Sequence, residues 1–221
     1  GVVTNWMLRP IEVDDVPIML LALWSDTPDR YGDFELRRLA EDVSTYLQGI
    51  DETSEVNLVG GRQRTIRILV DPESMGARKT TTADVFNALQ ISNVLQNVDQ
   101  WAFNNESIVL ESGDFVRSVD ELNSFVVNII DGIPVYLGDI AEIIDGPSEP
   151  AQYTWIDFAP GHPSFKSANA AYPMVTISVA KQRGSNAVAV AEAVHELMDR
   201  LQQEVLPDEI HIEVIRDYGK T

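Results

Sequence analysis

Near the C-terminal end of the chain, the spacing of hydrophobic residues changes from that of a strand to that of a helix and back to that of a strand. Met174 to Ala180 is mostly β-branched and partly alternates with polar residues, which predicts a strand. Asn186 then predicts the start of a helix, because its side-chain oxygen can accept an otherwise unpaired backbone N–H. Residues at helical spacing predict one buried helix face; they are Val190, Val194, Leu197, Met198, Leu201 and Val205. Pro207 ends this helix, and the alternation beyond it predicts a half-buried strand. The inner positions of that strand are Ile210, Ile212 and Val214.

The same order of elements is predicted near the beginning of the chain. Val16 to Ser25 is an almost continuous apolar run, which is typical of a central strand. Asp33 is a candidate cap for the helix that follows, and this helix is predicted to end near Gly49. Its predicted buried face consists of Leu36, Leu39, Ala40, Val43, Leu47 and Ile50. Val56–Val59 is predicted as the strand that completes the unit.

The middle of the chain predicts short elements of both kinds. Strands are predicted at 65–70, 106–111, 125–130, 133–137 and 140–145, and a further strand is predicted at 152–158. Asp71-Pro72 is interpreted as the end of the first of these strands. Thr81 to Asp84 predicts a capped helix that runs through Gln90, and Ser118 to Glu121 predicts a second capping box. Asp131-Gly132 predicts a hairpin turn.

Two β-α-β units that lie far apart in sequence predict a single sheet, since one such unit cannot bury both faces of its own strands. The predicted fold class is α+β, with the helices on one face of the sheet. We expect a split, ferredoxin-like β-α-β sandwich formed by residues 1–61 and 149–221. An α+β subdomain of residues 62–148 is predicted to be inserted into it.

The charge of the chain argues against nucleic acid as a partner. Its 16 Lys and Arg face 35 Asp and Glu, for a formal net charge of −19, so contacts with phosphate would oppose the overall field. The chain has no cysteine, which excludes disulfides and thiolate chemistry. It contains no apolar run of about 18 residues that would span a membrane.

No catalytic or metal-binding constellation is recognisable in the sequence. The three histidines, His162, His195 and His211, are far apart, and we interpret them as exposed structural residues, with His162 in a turn. Arg183 to Asn186 opens a helix but lacks the lysine and hydroxyl pair of a phosphate loop. The five methionines are scattered, which favours core packing over a soft-metal path. The sequence therefore predicts no enzyme, cofactor or metal site, although a site built from clustered carboxylates stays open.

Several motifs in order resemble the resistance-nodulation-division (RND) exporters. Lys181 to Val188 resembles the family's K-x-x-G-x-N-A segment, and Pro134 to Pro147 resembles its P-V-x-L-x-D-V-A-x-V-x-x-G-P segment. The entry to the family's docking subdomain is resembled by Gly60-Gly61 followed by Arg67 to Pro72. The helix after that entry is resembled by Thr82 to Leu89.

This resemblance implies a periplasmic fragment of an inner-membrane, proton-driven efflux pump of the acriflavine-resistance type. The fragment would comprise the second N-terminal porter subdomain, residues 1–61 and 149–221, and the N-terminal docking subdomain, residues 62–148. It would lie between the first and second transmembrane helices, so we expect both ends to continue into a longer chain. The implied partners are two further copies in a homotrimer, a periplasmic adaptor, an outer-membrane channel and hydrophobic or amphipathic cargo. The isolated fragment is expected to be soluble and monomeric.

The resemblance also implies candidate site residues. Those for a substrate pocket are Met19, Asn57, Val59, Gln152, Tyr153 and Asp217. At Pro17, Val59 and Asp217 this chain departs from the aromatic residues of drug-exporting members. The stretch that corresponds to the family's intersubunit arm, Val94 to Asn105, is short, and Trp101 and Phe103 in it are candidate interface residues. The alternatives are a stand-alone ferredoxin-like domain that binds or senses a small ligand, and an exporter of metal ions or lipids.

Overall fold

The computed structural model describes residues 16–91, 107–111, 118–167 and 170–219, and these residues divide into two compact units. The boundaries lie between Arg62 and Gln63 and between Glu149 and Pro150. The first unit therefore combines sequence from both sides of the second unit, which is inserted between them.

The first unit is organised around β1 (Met19–Ser25), the apolar strand that the sequence predicts to be central. β1 pairs with β10 (Ile210–Asp217) on one side and with β9 (Tyr172–Lys181) on the other, and β9 also pairs with β2 (Thr53–Val59). All of these pairings are antiparallel. A two-residue strand, β8 (Trp155–Ile156), extends the sheet beside β9. The order β10-β1-β9-β2 is that of two interleaved β-α-β units, which is the predicted split sandwich.

Two helices cover one face of this sheet. They are α1 (Asp33–Gln48) and α5 (Ala187–Glu204), and both pack on the same inward-facing positions of β1 and β9. Because side chains alternate along a strand, the inward positions are Leu21 and Leu23, whereas Ala22 and Trp24 lie on the opposite, outer face. The outer face carries a second, smaller aromatic cluster.

Local details of the first unit differ from the sequence predictions. Gly32, not Asp33, is the N-cap of α1, and the Glu35 carboxylate accepts the Gly32 N–H at 3.1 Å. Asp33 is instead the first residue of the helix. Val205 was expected in the buried face of α5, but it lies at the C-cap and is 51% exposed. Of the strand expected at 152–158, only Trp155–Ile156 pairs.

The second unit contains a three-stranded sheet in the order β4-β3-β7 and a separate hairpin. The sheet strands are β3 (Arg64–Val70), β4 (Ser107–Glu111) and β7 (Ala141–Pro147), and the hairpin joins β5 (Val126–Ile130) to β6 (Ile133–Tyr136). Asp131 and Gly132 have φ angles of 53° and 82°, as the predicted tight hairpin turn requires.

Three short helices complete the second unit: α2 (Pro72–Ala77), α3 (Thr82–Ile91) and α4 (Val119–Asn123). The sequence analysis treated Asp71-Pro72 only as the end of a strand and missed α2, in which Asp71 is the N-cap and Pro72 the first helical residue. The helices, β3 and the hairpin share one core. Its largest fully buried side chains are Ile66, Ile68, Leu89, Leu122, Leu137 and Ile140.

Candidate functional site

The candidate pocket residues of the first unit fall on opposite faces of its sheet. Val56 is buried in the core under the helices, so the neighbouring positions Asn57 and Val59 project from the outer face. They pair across the sheet with Ser178 and Thr176. Both side chains are exposed, Val59 to 45%. The outer face of β2 is therefore accessible to a ligand or to another part of a larger protein.

Gln152 and Tyr153 directly precede a residue that lies beside the end of β2. The Thr154 hydroxyl donates to the Met174 carbonyl, and Thr154 lies so close to Gly60 that a Cβ built there would be 1.9 Å from its oxygen. Gln152 and Tyr153 are both exposed, Tyr153 to 64%. We refer to the exposed candidates Asn57, Val59, Gln152 and Tyr153 together as the β2 surface.

A cation also lies close to Tyr153. Arg62 donates two hydrogen bonds to Asp33 Oδ1, at 3.0 and 2.9 Å, and one to Oδ2, at 2.9 Å. The hydrogen bonds to Asp33 raise the pKa of Arg62, and Tyr153 adds a smaller electrostatic contribution in the same direction. The guanidinium therefore stays charged and ties the segment that follows β2 to the start of α1.

Met19 does not belong to the β2 surface. It is fully buried in the helix-side core and pairs in register with Val179 and Asp217. A ligand would reach Met19 only if the core opened. The structure therefore places this candidate in the packing of the sheet, beside Asp217 and on the face opposite to Asn57 and Val59.

Asp217 also faces the helix side, where it pairs with His195 of α5. The Nε2 atom of His195 is 2.8 Å from Asp217 Oδ2, and Asp217 Oδ1 accepts the Gly219 N–H at 2.8 Å. The Asp217 side chain is 9% exposed and that of His195 is 29% exposed. This pair joins the end of β10 to the middle of α5, and it can fix the direction in which the chain leaves the sheet.

Sequence reasoning missed the His195–Asp217 pair because the two residues are far apart along the chain. It interpreted His195 as an exposed structural residue. The available signal was the predicted topology: a helix followed by a strand that returns beside it brings the middle of the helix close to the end of the strand. The other two histidines are partly exposed, and His162 lies in a turn as predicted.

The second unit presents an exposed apolar surface on its hairpin, which we call the hairpin surface. Ile129 and Ile133, on either side of the turn, are 64% and 68% exposed, and Val126 and Tyr136 are each 40% exposed. Val127 and Val135, between them, are buried in the core of the unit. Val127 and Val135 therefore anchor the hairpin, while large apolar side chains are displayed on both of its faces: Ile129 pairs with Pro134 and Ile133 pairs with Ile130, so Ile129 and Ile133 lie on opposite faces beside the turn. Exposed apolar side chains of this size are typical of contact surfaces.

The remaining candidates and functional classes add little chemistry. The proposed interface residues Trp101 and Phe103 lie outside the described residues. Among the described side chains, no three His, Cys, Asp or Glu residues come together in a way that could hold a metal ion. In the same ranges, none of the helices combines the length and the apolar composition that crossing a bilayer requires.

Comparison with known proteins identifies both the fold and the family. The crystal structure of a heavy metal efflux pump superimposes with a TM-score of 0.60 at 16% sequence identity, over 96% of this chain and 20% of that chain. The present chain thus spans about one fifth of that pump's length, and the likeness shows a shared fold. The family described as AcrB/AcrD/AcrF has a model that matches residues 2–221. The resemblance drawn from the sequence motifs is thereby confirmed: this chain belongs to the AcrB/AcrD/AcrF family.

Proposed function

We propose that this chain is the periplasmic substrate-passage and docking region of a proton-driven RND efflux pump for drugs or other solutes. The observation that carries the proposal is the family match over residues 2–221, to a chain that folds as a split sandwich with an inserted unit. The region is non-catalytic: it guides cargo, while the proton-carrying residues of the pump lie in membrane helices outside this chain.

The first unit is proposed as the porter subdomain. It corresponds to residues 1–61 and 149–221 of the sequence prediction, and its cargo-facing part is the β2 surface. Asn57 offers an amide, while Val59 and Tyr153 offer apolar area, so the surface suits hydrophobic or amphipathic molecules. Met19, buried on the helix side of the sheet, is not part of this surface. Asp217, held by His195, is proposed to set the path of the chain towards the membrane.

The second unit, residues 62–148 of the sequence prediction, is proposed as the docking subdomain. Its hairpin surface exposes Ile129 and Ile133 beside a tight turn, which is a suitable contact for a periplasmic adaptor or an outer-membrane channel. In the full-length pump we propose a homotrimer, with Trp101 and Phe103 at the contact between subunits. The fragment itself is proposed to be monomeric, since most trimer contacts lie outside it.

The test uses the full-length parent gene in a bacterial host that lacks its own exporters. We expect the protein to lower the accumulation of a fluorescent amphipathic cation and to lose this effect when a proton ionophore is added. Val59→Trp should fill part of the space in front of the β2 surface and change the order in which different compounds are exported most efficiently. Its control, Tyr46→Trp, alters a residue that is 51% exposed on α1 and should leave that order unchanged.

Two results would overturn the proposal. One is a parent gene without apolar segments of about 20 residues on either side of this region. The other is that the accumulation of the fluorescent cation is the same with and without the full-length protein, although the protein is present in the membrane fraction at a normal level. Saturable binding of a small ligand by the isolated chain, combined with the first result, would instead support the stand-alone sensor.

The docking assignment has a separate test. Ile133→Asp places a charge on the hairpin surface, and we expect it to reduce copurification of the adaptor with the full-length protein. Val188→Asp is the matched control, because Val188 is an exposed apolar residue on α5 of the first unit, 45% exposed. Equal adaptor recovery with both variants would remove the hairpin from the docking contact.

A further inference from the structure

Residues 157–167, between β8 and β9, cover part of the outer face of the first unit's sheet, and we call them the strap. One strap side chain is buried: Phe158 is 7% exposed, with its ring centroid 4.8 Å from that of Trp24 and 6.4 Å from that of Tyr172. Together with Ala22, these residues form a small core of their own, separate from the core under the helices.

Besides Phe158, the strap is held by the partly buried Phe165, which packs against the same small core, and by exposed or half-exposed polar contacts. Lys166 Nζ lies 3.1 Å from Asp26 Oδ2, with side chains 56% and 31% exposed. The Nε2 atom of His162 lies 3.5 Å from Glu213 Oε1, and its ring stacks on Phe158 at 4.6 Å. Ion pairs this exposed stabilise little and are weakened by salt. The strap therefore depends mainly on two aromatic rings, the buried Phe158 and the partly buried Phe165.

The backbone of the strap is not part of the sheet. The His162 N–H donates to the Ala159 carbonyl at 3.1 Å, and the Phe165 N–H donates to the His162 carbonyl at 3.0 Å. The Ser164 N–H donates to His162 Nδ1 at 3.1 Å. Among the described residues, the backbone–backbone hydrogen bonds of the strap are all local turns. Lifting it would break no strand pairing, which is the property of segments that open locally.

The residue beneath the strap has a buried polar group. Trp24 is 3% exposed, and its indole Nε1–H has no hydrogen-bond acceptor among the described residues. Its ring packs against His211 at 4.7 Å as well as against Phe158 and Tyr172. Water reaches the indole N–H only when the strap moves, so this group reports on local opening.

We propose that the strap is a lid that opens locally over Trp24 while the helix-side core stays folded. Opening would uncover an apolar surface formed by the aromatic rings of Trp24 and Tyr172 and by Ala22. This surface lies away from Asn57 and Val59 of the β2 surface. The proposal concerns the first unit alone and stands whether or not the full-length protein is an exporter.

Thiol labelling tests the lid directly, because the chain has no cysteine of its own. Ala22→Cys places a thiol under the strap, and Ala40→Cys places one on the buried face of α1; both alanines are fully buried. Global unfolding exposes both thiols equally, whereas lid opening exposes only the first. With a small thiol reagent in excess, we expect Ala22→Cys to react at least about tenfold faster than Ala40→Cys. Equal rates would overturn the proposal.

The anchor at Lys166 sharpens this test. Lys166→Ala removes the contact to Asp26 and should raise the labelling rate of Ala22→Cys about threefold, without changing that of Ala40→Cys. Lys79→Ala, the same charge change at a residue of the second unit that is 76% exposed, is the control and should change neither rate. An effect of Lys166→Ala on both thiols alike would mean that it acts on global stability and would contradict the lid.

Hydrogen exchange provides a version without substitutions near the strap. We expect the indole N–H of Trp24 to exchange much faster than the backbone N–H of Val43, which is buried in α1. Exchange of both groups at the rate of global unfolding would overturn the proposal, even if Ala22→Cys failed to fold.

Discussion

The two units of this chain reach a folded structure by different means. The first has one sheet of long strands covered by helices of 16 and 18 residues, with apolar faces that share a single core. The second has helices of 6, 10 and 5 residues, a three-stranded sheet and a separate hairpin. An isolated helix shorter than about 12 residues is marginal in water, so the helices of the second unit need additional support.

Side-chain caps provide part of that support. Asp71 accepts the N–H groups of Glu73 and Ser74 at the start of α2. Thr81 and Asp84 bond reciprocally at the start of α3. Because the helices of the first unit are long enough to pack extensively, we expect polar groups at helix ends to carry a larger share of the stability in the second unit.

Removing core volume should have the largest effect and should separate the two units. Leu23→Ala in β1 and Ile68→Ala in β3 each empty a fully buried position on a central strand. Each should cost about 2–5 kcal/mol of unfolding free energy. Because the two cores are separate, we expect Leu23→Ala to lower the unfolding transition of the first unit and Ile68→Ala that of the second. Hydrogen exchange measured unit by unit would show this; loss of protection across both units from either variant would contradict independent cores.

Two glycines with similar backbone angles give a matched pair for the next effect. Gly60 in the first unit has φ of 87°, and Gly132 in the hairpin of the second has φ of 82°. A Cβ on Gly60 would lie 1.9 Å from the Thr154 oxygen, whereas one on Gly132 would meet nothing within 4 Å. We expect Gly132→Ala to cost about 1 kcal/mol, from backbone strain alone. Gly60→Ala should cost roughly 3 kcal/mol, because the same strain is joined by a steric clash.

Chemical denaturation of the two variants would check this difference. Similar losses of stability would show that the contact between Thr154 and Gly60 relaxes easily. The segment that carries Gln152 and Tyr153 would then be held less firmly beside the β2 surface than the structure indicates.

Sequence periodicity predicted most of the first unit because its elements are long. The apolar run of β1 and the spaced apolar residues of α1 and α5 each repeat often enough to specify an element and its buried face. Asp131-Gly132 predicted the hairpin for a different reason, since few residue pairs adopt its backbone angles. In contrast, α2 has six residues, too few for a periodic pattern, and its Asp-Pro cap was interpreted as the end of a strand.

The contacts that matter for function were less accessible to sequence reasoning. The pairing of His195 with Asp217, and the seating of Phe158 on Trp24, join residues that are distant along the chain, and they depend on which face of a strand each residue occupies. Met19 and Val59 were both pocket candidates, yet the pleat of the sheet places them on opposite faces. Composition and motifs cannot supply that distinction without the register of the strands.

Helix caps provide a smaller test of the comparison. Ser118→Ala removes the hydroxyl that accepts the Glu121 N–H at the start of α4, and Asn186→Ala removes the carbonyl that accepts the Val188 N–H at the start of α5. Each should cost about 1 kcal/mol of helix stability. We expect the short helix α4 to lose most of its exchange protection, while α5 should fray only in its first turn. If α4 and α5 retained the same fraction of their hydrogen-exchange protection, packing of Leu122 alone would suffice to hold α4.

Acid should produce the smallest effect, and it should act on the second unit. The Thr81 hydroxyl and backbone N–H lower the pKa of Asp84, and the Ser74 hydroxyl and backbone N–H lower that of Asp71. A carboxyl with a lower pKa in the folded state stabilises the fold when it is ionised. The contribution is therefore complete above the ordinary aspartate range, near about pH 4, and is lost as the pH falls through the folded value.

We accordingly expect the thermal transition of the second unit to shift downwards between about pH 5 and pH 2. Asp71→Asn combined with Asp84→Asn should start from a lower melting temperature at neutral pH and should show a weaker dependence on pH. Calorimetry of the chain and of this double variant over that range would measure both effects. An identical pH dependence in the two proteins would mean that the caps do not distinguish the units, and that the acid response of the chain comes from its general negative charge.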